Sequence, residues 1–353
     1  MSGKTMSLGN VMIGISGKQL QPHEREWLLH PLIAGVILFS RNYESPQQLM
    51  ALTEEIHALR HPRLLIAVDH EGGRVQRFRD GFTRLPSMRV LGMLYKQDAE
   101  LALKRAHQLG WVLATELLAC GVDFSFAPVL DLDYGESRVI GDRAFSGDPI
   151  VVGQLALQVS LGMREAGMAS VVKHFPGHGY VQADTHETVA MDERSWPQIQ
   201  LNDLQPFLKL IAHGVEAVMP AHVRYLQIDD LPVGFSARWL QTILRQDCHF
   251  DGVIISDDLG MQAAAYYGNT AERVTLALNA GCDLALVCNE LEQISAVLAQ
   301  CHWHQRPITQ ARLMRMHGRA QIAYRHLHQE PIWQGAVKQM ALLNEAQSQM
   351  DLF

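Results

Sequence analysis

The chain lacks the marks of a disulfide scaffold, a membrane protein or a nucleic-acid binder. It has five cysteines, Cys120, Cys248, Cys282, Cys288 and Cys301, an odd number with no CxxC pair. That argues against a disulfide framework. Cys120, Cys282 and Cys288 sit among apolar residues and read as small core hydrophobes in a reducing compartment. Basic charge is in deficit: 30 Lys and Arg stand against 37 Asp and Glu, a formal charge of −7. A nucleic-acid or anionic-membrane partner would need a basic footprint, and none is expected. Long apolar runs are missing too. Met1 to Asn10 is largely polar, and the run after it, Val11 to Ile15, is too short for a signal peptide. No stretch approaches the length of a membrane span, so a cytoplasmic location is expected. No Pro/Gly/Ser-rich linker, low-complexity tract or internal repeat divides the chain.

What is present alternates. Short β-branched runs at Val11–Ile15, Ile33–Phe39, Leu64–Val68, Val122–Ala127, Met168–Val172, Val215–Met219, Gly252–Ile255 and Asp283–Val287 are apolar nearly throughout. That pattern suits parallel strands covered on both faces. Between them lie helical segments. Asp148-Pro149 reads as an N-cap with Pro at the first helical position, opening a helix that stops at Gly167. Ser45-Pro46 opens Gln47 to Arg60 in the same way, and Asp98 to Cys120 has Leu109, Val112, Leu113 and Leu117 at helical spacing. Trp27 and Trp111 fall within helical patterns and read as core. Eight strands alternating with helices point to the α/β class and a (β/α)8 TIM-type barrel, with a doubly wound sheet as the alternative. The expected organisation is one catalytic barrel domain over residues 1–353, with a helical extension from about 289.

Polar chemistry gathers after the strands. The fifth runs into Lys173-His174-Phe175-Pro176-Gly177-His178-Gly179, followed by Asp184-Thr185-His186. Pro176, Gly177 and Gly179 rule out a regular element there, and loops at strand ends are where enzymes put their sites. The third strand leads into Asp69-His70-Glu71-Gly72-Gly73-Arg74-Val75-Gln76-Arg77, the fourth into Asp131 and Asp133, with Arg138 and Arg143 beyond. The sixth leads into His222 and the seventh into Asp257-Asp258. In a barrel these ends meet on one face. Residues before the strands show far less of this chemistry, an asymmetry that solubility does not explain and an enzyme does.

The adjacent pair Asp257-Asp258 should send at most one side chain into the site, because neighbouring residues leave a strand on opposite faces. Arg74, Arg77 and Arg143 carry forks suited to hydroxyl-rich or carboxylate ligands, while single histidines such as His70 and His222 read as structural. Gly72-Gly73 would allow a close approach of backbone to ligand. A metal-dependent barrel hydrolase usually needs a His-x-His pair after the first strand, where Ser16-Gly17-Lys18 stands. A phosphate-binding barrel wants glycine-rich turns after strands seven and eight, but Cys288-Asn289-Glu290 follows the eighth.

Three strings, Lys-His-Phe-Pro-Gly-His-Gly with Asp-Thr-His, Ser-Asp-Asp-Leu-Gly-Met, and Asp-His-Glu-Gly-Gly-Arg-Val-Gln-Arg, resemble glycoside hydrolase family 3. They are similar in particular to its single-domain bacterial β-N-acetylglucosaminidases of peptidoglycan recycling. The likeness runs from Met12 to about Cys288 and includes Leu38–Tyr43 and Pro220-Ala221-His222. It implies that Asp257 is the nucleophile and His186 the general acid/base, with Asp184 as its partner. It further implies that Asp69, Arg77, Arg143, Lys173 and His174 bind the sugar of a GlcNAc-containing muropeptide fragment. It implies no metal and no cofactor, and assigns no oligomeric state. Gly260 stands where many relatives have Ser, and Glu187-Thr188-Val189 is a variable stretch.

The chemistry is coherent with these groups. Retaining glycosidases ordinarily use two carboxyl groups. Here one carboxyl works with an imidazole, whose ordinary pKa of about 6.5 makes both protonation states accessible. Asp184 could fix the tautomer of His186, as the acid does in a Ser-His-Asp triad. The residues leave open a second route in which the substrate's acetamido group attacks. They also leave open a family 3 β-glycosidase of other sugar specificity and a non-catalytic sugar-binding barrel.

Overall fold

A computed structural model describes residues 7–181, 190–301 and 306–350. Eight parallel strands close a barrel: β1 (Val11–Gly14), β2 (Ile33–Leu38), β3 (Leu65–Val68), β4 (Phe124–Ser125), β5 (Ala169–Phe175), β6 (Ala217–Pro220), β7 (Val253–Asp258) and β8 (Leu284–Val287). Each strand pairs with its neighbours in sequence, and β1 closes the ring against β8 with Val11 opposite Ala285. The residues of β1, β2, β3, β5, β6 and β8 are buried throughout. Strands with both faces covered have no use for polar alternation, which is why their sequences are continuous apolar runs.

The helices start and stop where capping chemistry dictates. Asp148 accepts a hydrogen bond from Ile150 N at 2.8 Å and opens Pro149–Ala166. Ser45 and Asp98 cap Pro46–Ala58 and Ala99–Ala119 in the same manner. Each such cap is worth about 1 kcal/mol. The two longest of these helices, Ala99–Ala119 and Pro149–Ala166, touch across Gly110 and Gly162. A Cβ on Gly110 would lie 2.0 Å from Val159 O, and one on Gly162 2.1 Å from His107 O. Trp27 and Trp111 are half-buried and pack on the rim of the core, so they are boundary residues instead of interior ones.

Three strands depart from expectation, and each departure shapes the site. β4 is shorter than the apolar run Val122–Ala127, because Pro128 has no N–H to extend the ladder. Backbone contact with β5 nevertheless continues past the strand's end, with Val171 N donating to Ala127 O at 3.0 Å, Lys173 N to Pro128 O at 3.3 Å and Leu130 N to Lys173 O at 2.7 Å. β5 is longer and carries Lys173 and His174 on the strand itself, with Lys173 opposite Met219 and Phe175 opposite Pro220. Phe175 pins this end, fully buried edge-on against Phe207 and Trp239 with ring centroids 5.4 and 6.1 Å away. Burying such a ring contributes about 1.5–3 kcal/mol. β7 likewise runs on to Asp258, which pairs with Leu286 after a register shift.

Strand β8 is followed by helix Ile294–Gln300, then by Pro307–Met314, Tyr324–Leu327 and Pro331–Met350. The last two pack on Ala99–Ala119. Trp333 Nε1 donates to buried Glu116 at 2.9 Å, and Gly318 N donates to Asp123 at 2.9 Å near the N-terminal end of β4. Among the described residues no helix is long and apolar enough to cross a membrane.

Candidate active site

The C-terminal ends of the strands enclose a cavity of about 660 Å³. Ile37, Phe126, Met219 and Leu286 give it an apolar floor, and ionisable groups from β3, β5, β7 and the loop after β4 surround that floor.

Its rigid centre is an ion cluster. Lys173, held on β5 with its side chain only 3% exposed, donates to Asp69 Oδ1 at 2.7 Å and sits 2.7 Å from Glu71 Oε1. Glu71 is the more deeply buried of these acids. It receives both Arg143 Nε (2.8 Å) and Arg143 Nη2 (2.7 Å), a two-pronged pairing. Burial alone would raise the Glu71 carboxyl, but the charges and hydrogen bonds of Arg143 and Lys173 hold it well below the usual carboxylate range. Arg143 and Lys173 lose charge stability to burial and regain more from these acids, so both stay firmly protonated. Arg77 closes the group at its wetter side, with Nη2 3.8 Å from Asp69 Oδ2.

A second buried carboxylate orients the histidines. Asp131, with no exposed surface, lies 2.7 Å from His174 Nδ1 and also accepts from the backbone N–H groups of His178 (2.7 Å) and His174 (3.3 Å). Because a carboxylate can only accept, Nδ1 of His174 is the donor in this contact, which fixes the ring of a residue that lines the cavity. Burial pushes His178 down to about 4, assisted by His174, so its ring is neutral at neutral pH.

Across the cavity stand Asp257 and Asp258, and both line it. The expectation that only one would do so fails because the register shift between Ile255 and Asp258 breaks the strict alternation of β7. The two carboxylates are nevertheless employed differently. Asp258 Oδ1 accepts from Gly260 N (3.0 Å) and Cys288 N (3.1 Å), and Oδ2 lies 3.3 Å from Asn289 Nδ2. It ties the end of β7 to the end of β8. Asp257 Oδ1 accepts from Asp258 N at 2.8 Å. Among the described residues no group of three His, Cys or carboxylate side chains is arranged to hold a metal ion.

Asp69, Arg77, Arg143, Lys173, His174 and Asp257 thus converge on one cavity, whereas Asp184 and His186 lie outside the described residues. Glu71 and Asp131, though among the polar residues after the third and fourth strands, were assigned no role from sequence. Glu71 was within reach of the alternation rule, which puts residues 69 and 71 on the same side of an extended chain. Asp131 follows Pro128 in an irregular segment and carries no periodic signal. Gly72 and Gly73 do not approach the cavity. They turn a short hairpin, His70–Gly72 against Val75–Gln76, and a Cβ on Gly72 would lie 2.5 Å from Pro86 O. His70 and His222 are buried structural residues: His70 lies among Phe78 and Phe82, and His222 Nε2 is 3.0 Å from Asp258 O.

Residues 3–321 match the glycosyl hydrolase family 3 N terminal domain. A β-hexosaminidase of Hydrogenovibrio crunogenus is 59% identical over 348 residues, covering 98% of both chains. One of Methylobacillus flagellatus is 53% identical over 313 residues, covering 89% of this chain and 90% of the relative. The solved structure of NagZ from Neisseria gonorrhoeae in complex with N-trifluoroacetyl-D-glucosamine superposes with a TM-score of 0.91 at 45% identity, covering 96% of this chain and 98% of that one. Sequence, barrel and cavity agree, and the chain belongs to glycosyl hydrolase family 3, grouping there with the β-hexosaminidases.

Proposed function

We propose that this protein is a retaining exo-β-N-acetylglucosaminidase that removes terminal β-1,4-linked GlcNAc from peptidoglycan fragments in the cytoplasm, as one catalytic unit over residues 1–353. The observation that carries the reading is the opposition of two functions in one cavity. The cluster of Asp69, Lys173, Glu71 and Arg143 presents fixed donors and acceptors on one side, and the carboxylate of Asp257 faces it from the end of β7. The likeness to a protein solved with N-trifluoroacetyl-D-glucosamine supports an aminosugar as the group bound.

In this reading Asp69 accepts hydrogen bonds from sugar hydroxyls, and Lys173, Arg77, Arg143 and His174 donate them. Such contacts strengthen as the ring takes on oxocarbenium character. Lys173 and His174 ride on a strand and are braced by buried carboxylates, so little of their bonding energy is spent on ordering. Asp257 attacks the anomeric carbon while His186, oriented by Asp184, gives its proton to the departing glycosidic oxygen. The sugar becomes an ester of Asp257. Water then attacks the same carbon, His186 takes the proton from that water, and the carboxylate of Asp257 is released. Two inversions return the β-configuration. The engagement of Asp258 with two backbone N–H groups favours Asp257 over it as nucleophile.

An aryl β-N-acetylglucosaminide, assayed with and without EDTA, tests the activity. The reading expects release of the aryl group unaffected by EDTA, and mass spectrometry of a muropeptide digest should show loss of terminal GlcNAc. Preference for an aryl β-glucoside would overturn the sugar assignment. Loss of activity with EDTA would overturn the metal-free chemistry.

A further inference from the structure

The basic residues lining the cavity are not equivalent. Lys173 is matched to Asp69 and Glu71, Arg143 to Glu71, Arg77 to Asp69, and Arg74 to Asp142 at 3.0 Å. Arg138 lines the same cavity, is exposed, and among the described residues has no carboxylate within ion-pair distance. Its backbone is held in place even though its side chain has no hydrogen-bond or ion-pair partner among the described residues. Arg74 Nη2 donates to the carbonyls of Arg138 (3.2 Å), Val139 and Ile140 (3.4 Å), and Gly141 N closes the turn on Ser137 O at 2.9 Å. Among the described residues, one cavity-lining arginine without a carboxylate partner therefore sits on a braced turn at the rim, beside the cluster in which Lys173, Arg143 and Arg77 are paired with Asp69 and Glu71.

We propose that Arg138 determines specificity by binding a carboxylate on the leaving-group portion of the substrate. This deepens the exo-glycosidase reading and rests on it. In such an enzyme the terminal sugar occupies the buried cluster, so the rim meets the part of the substrate that departs. An arginine fork engages a carboxylate with two charge-assisted hydrogen bonds, and an amide or ester in its place offers no charge to pair. The contact forms near solvent, so it should weaken with added salt.

The test compares two GlcNAc-β-1,4-disaccharides that share the same scissile bond, one with a carboxylate on its reducing-end unit and one with that group as the carboxamide. Arg138→Ala should lower kcat/KM for the carboxylate about tenfold, the ratio that about 1.4 kcal/mol of a charge-assisted hydrogen bond is worth. The carboxamide should change by less than about twofold on the same scale. Arg138→Lys should recover part of the loss and Arg138→Glu should deepen it, both for the carboxylate alone. Equal losses on both substrates would show a merely structural turn, and no change on either would show an idle arginine. Both results overturn the inference while leaving the activity standing. If the unaltered enzyme cleaves neither disaccharide, the reading on which the inference rests is overturned instead.

Discussion

Glu71→Gln is the most revealing single change in the cavity, because it removes one charge with almost no change of shape. Glu71 takes Arg143 through both oxygens and Lys173 through one, all at 2.7–2.8 Å. A glutamine can offer only its carbonyl oxygen to those donors, and its NH2 group then points at a cation. Removing one partner of a buried ion pair typically costs about 3–5 kcal/mol. Lys173 retains Asp69, so the lower end, about 3 kcal/mol, is expected from urea unfolding at pH 7.5. The Glu71 carboxyl is held below its ordinary range in the folded protein, so the unfolded chain binds its proton first as pH falls. Its contribution is fully present above about pH 4.3 and shrinks as the pH drops below it. The stability gap between wild type and Glu71→Gln should therefore narrow in acid. Loosened by even a fraction of an ångström, Lys173 and Arg143 should also lower kcat/KM, with a 1 Å displacement worth about 100-fold. A variant within about 1 kcal/mol of wild type and fully active would refute the claim that Glu71 fixes the two cations.

Three further outcomes are expected. His186→Ala should lower kcat strongly on poor leaving groups and abolish one limb of the pH–rate profile, with Asp184→Ala giving a smaller defect; near-normal kcat on a disaccharide would remove the acid/base assignment. Asp69→Ala or Arg77→Ala should raise KM and lower kcat/KM with the fold intact, and unchanged GlcNAc affinity by calorimetry in both variants would take them out of the site. Burial lowers His70 to about 3 and His178 to about 4, so each stays neutral while the unfolded chain takes up its proton near pH 6.5. Stability supplied by these two is complete above that pH and lost as it falls towards 4, by up to about 1.4 kcal/mol per pH unit for each. His70→Asn should lessen the slope by its share, and identical slopes between pH 6 and 4.5 would contradict this.

The barrel was legible because a strand buried on both faces has a signature of its own, an apolar run such as Ile33–Leu38 with nothing polar to interrupt it. The same signature misplaces the ends of the strands that matter most. Lys173, His174, Asp257 and Asp258 look like loop in sequence because they are charged, yet pairing with β6 and β8 keeps them on strands. The register shift in β7 was invisible, since nothing local marks where two strands slip. Glu71 and Asp131 were seen at the strand ends but given no role, for another reason. Neither is needed to describe the reaction, and only the three-dimensional arrangement shows that each braces a group that is. Arg143 illustrates the consequence: it was expected to bind sugar, and much of its fork is spent on Glu71.

The most direct test of the account is chemical trapping at Asp257. A 5-fluoro GlcNAc donor with a good leaving group slows breakdown of the glycosyl ester, and peptide mapping by mass spectrometry should then place the sugar on Asp257, with proton NMR of early products showing retained β-configuration. Label on Asp258 would reverse the choice between the two carboxylates, retention with no adduct would favour attack by the substrate's acetamido group, and inversion at the anomeric carbon would contradict the two-step mechanism itself.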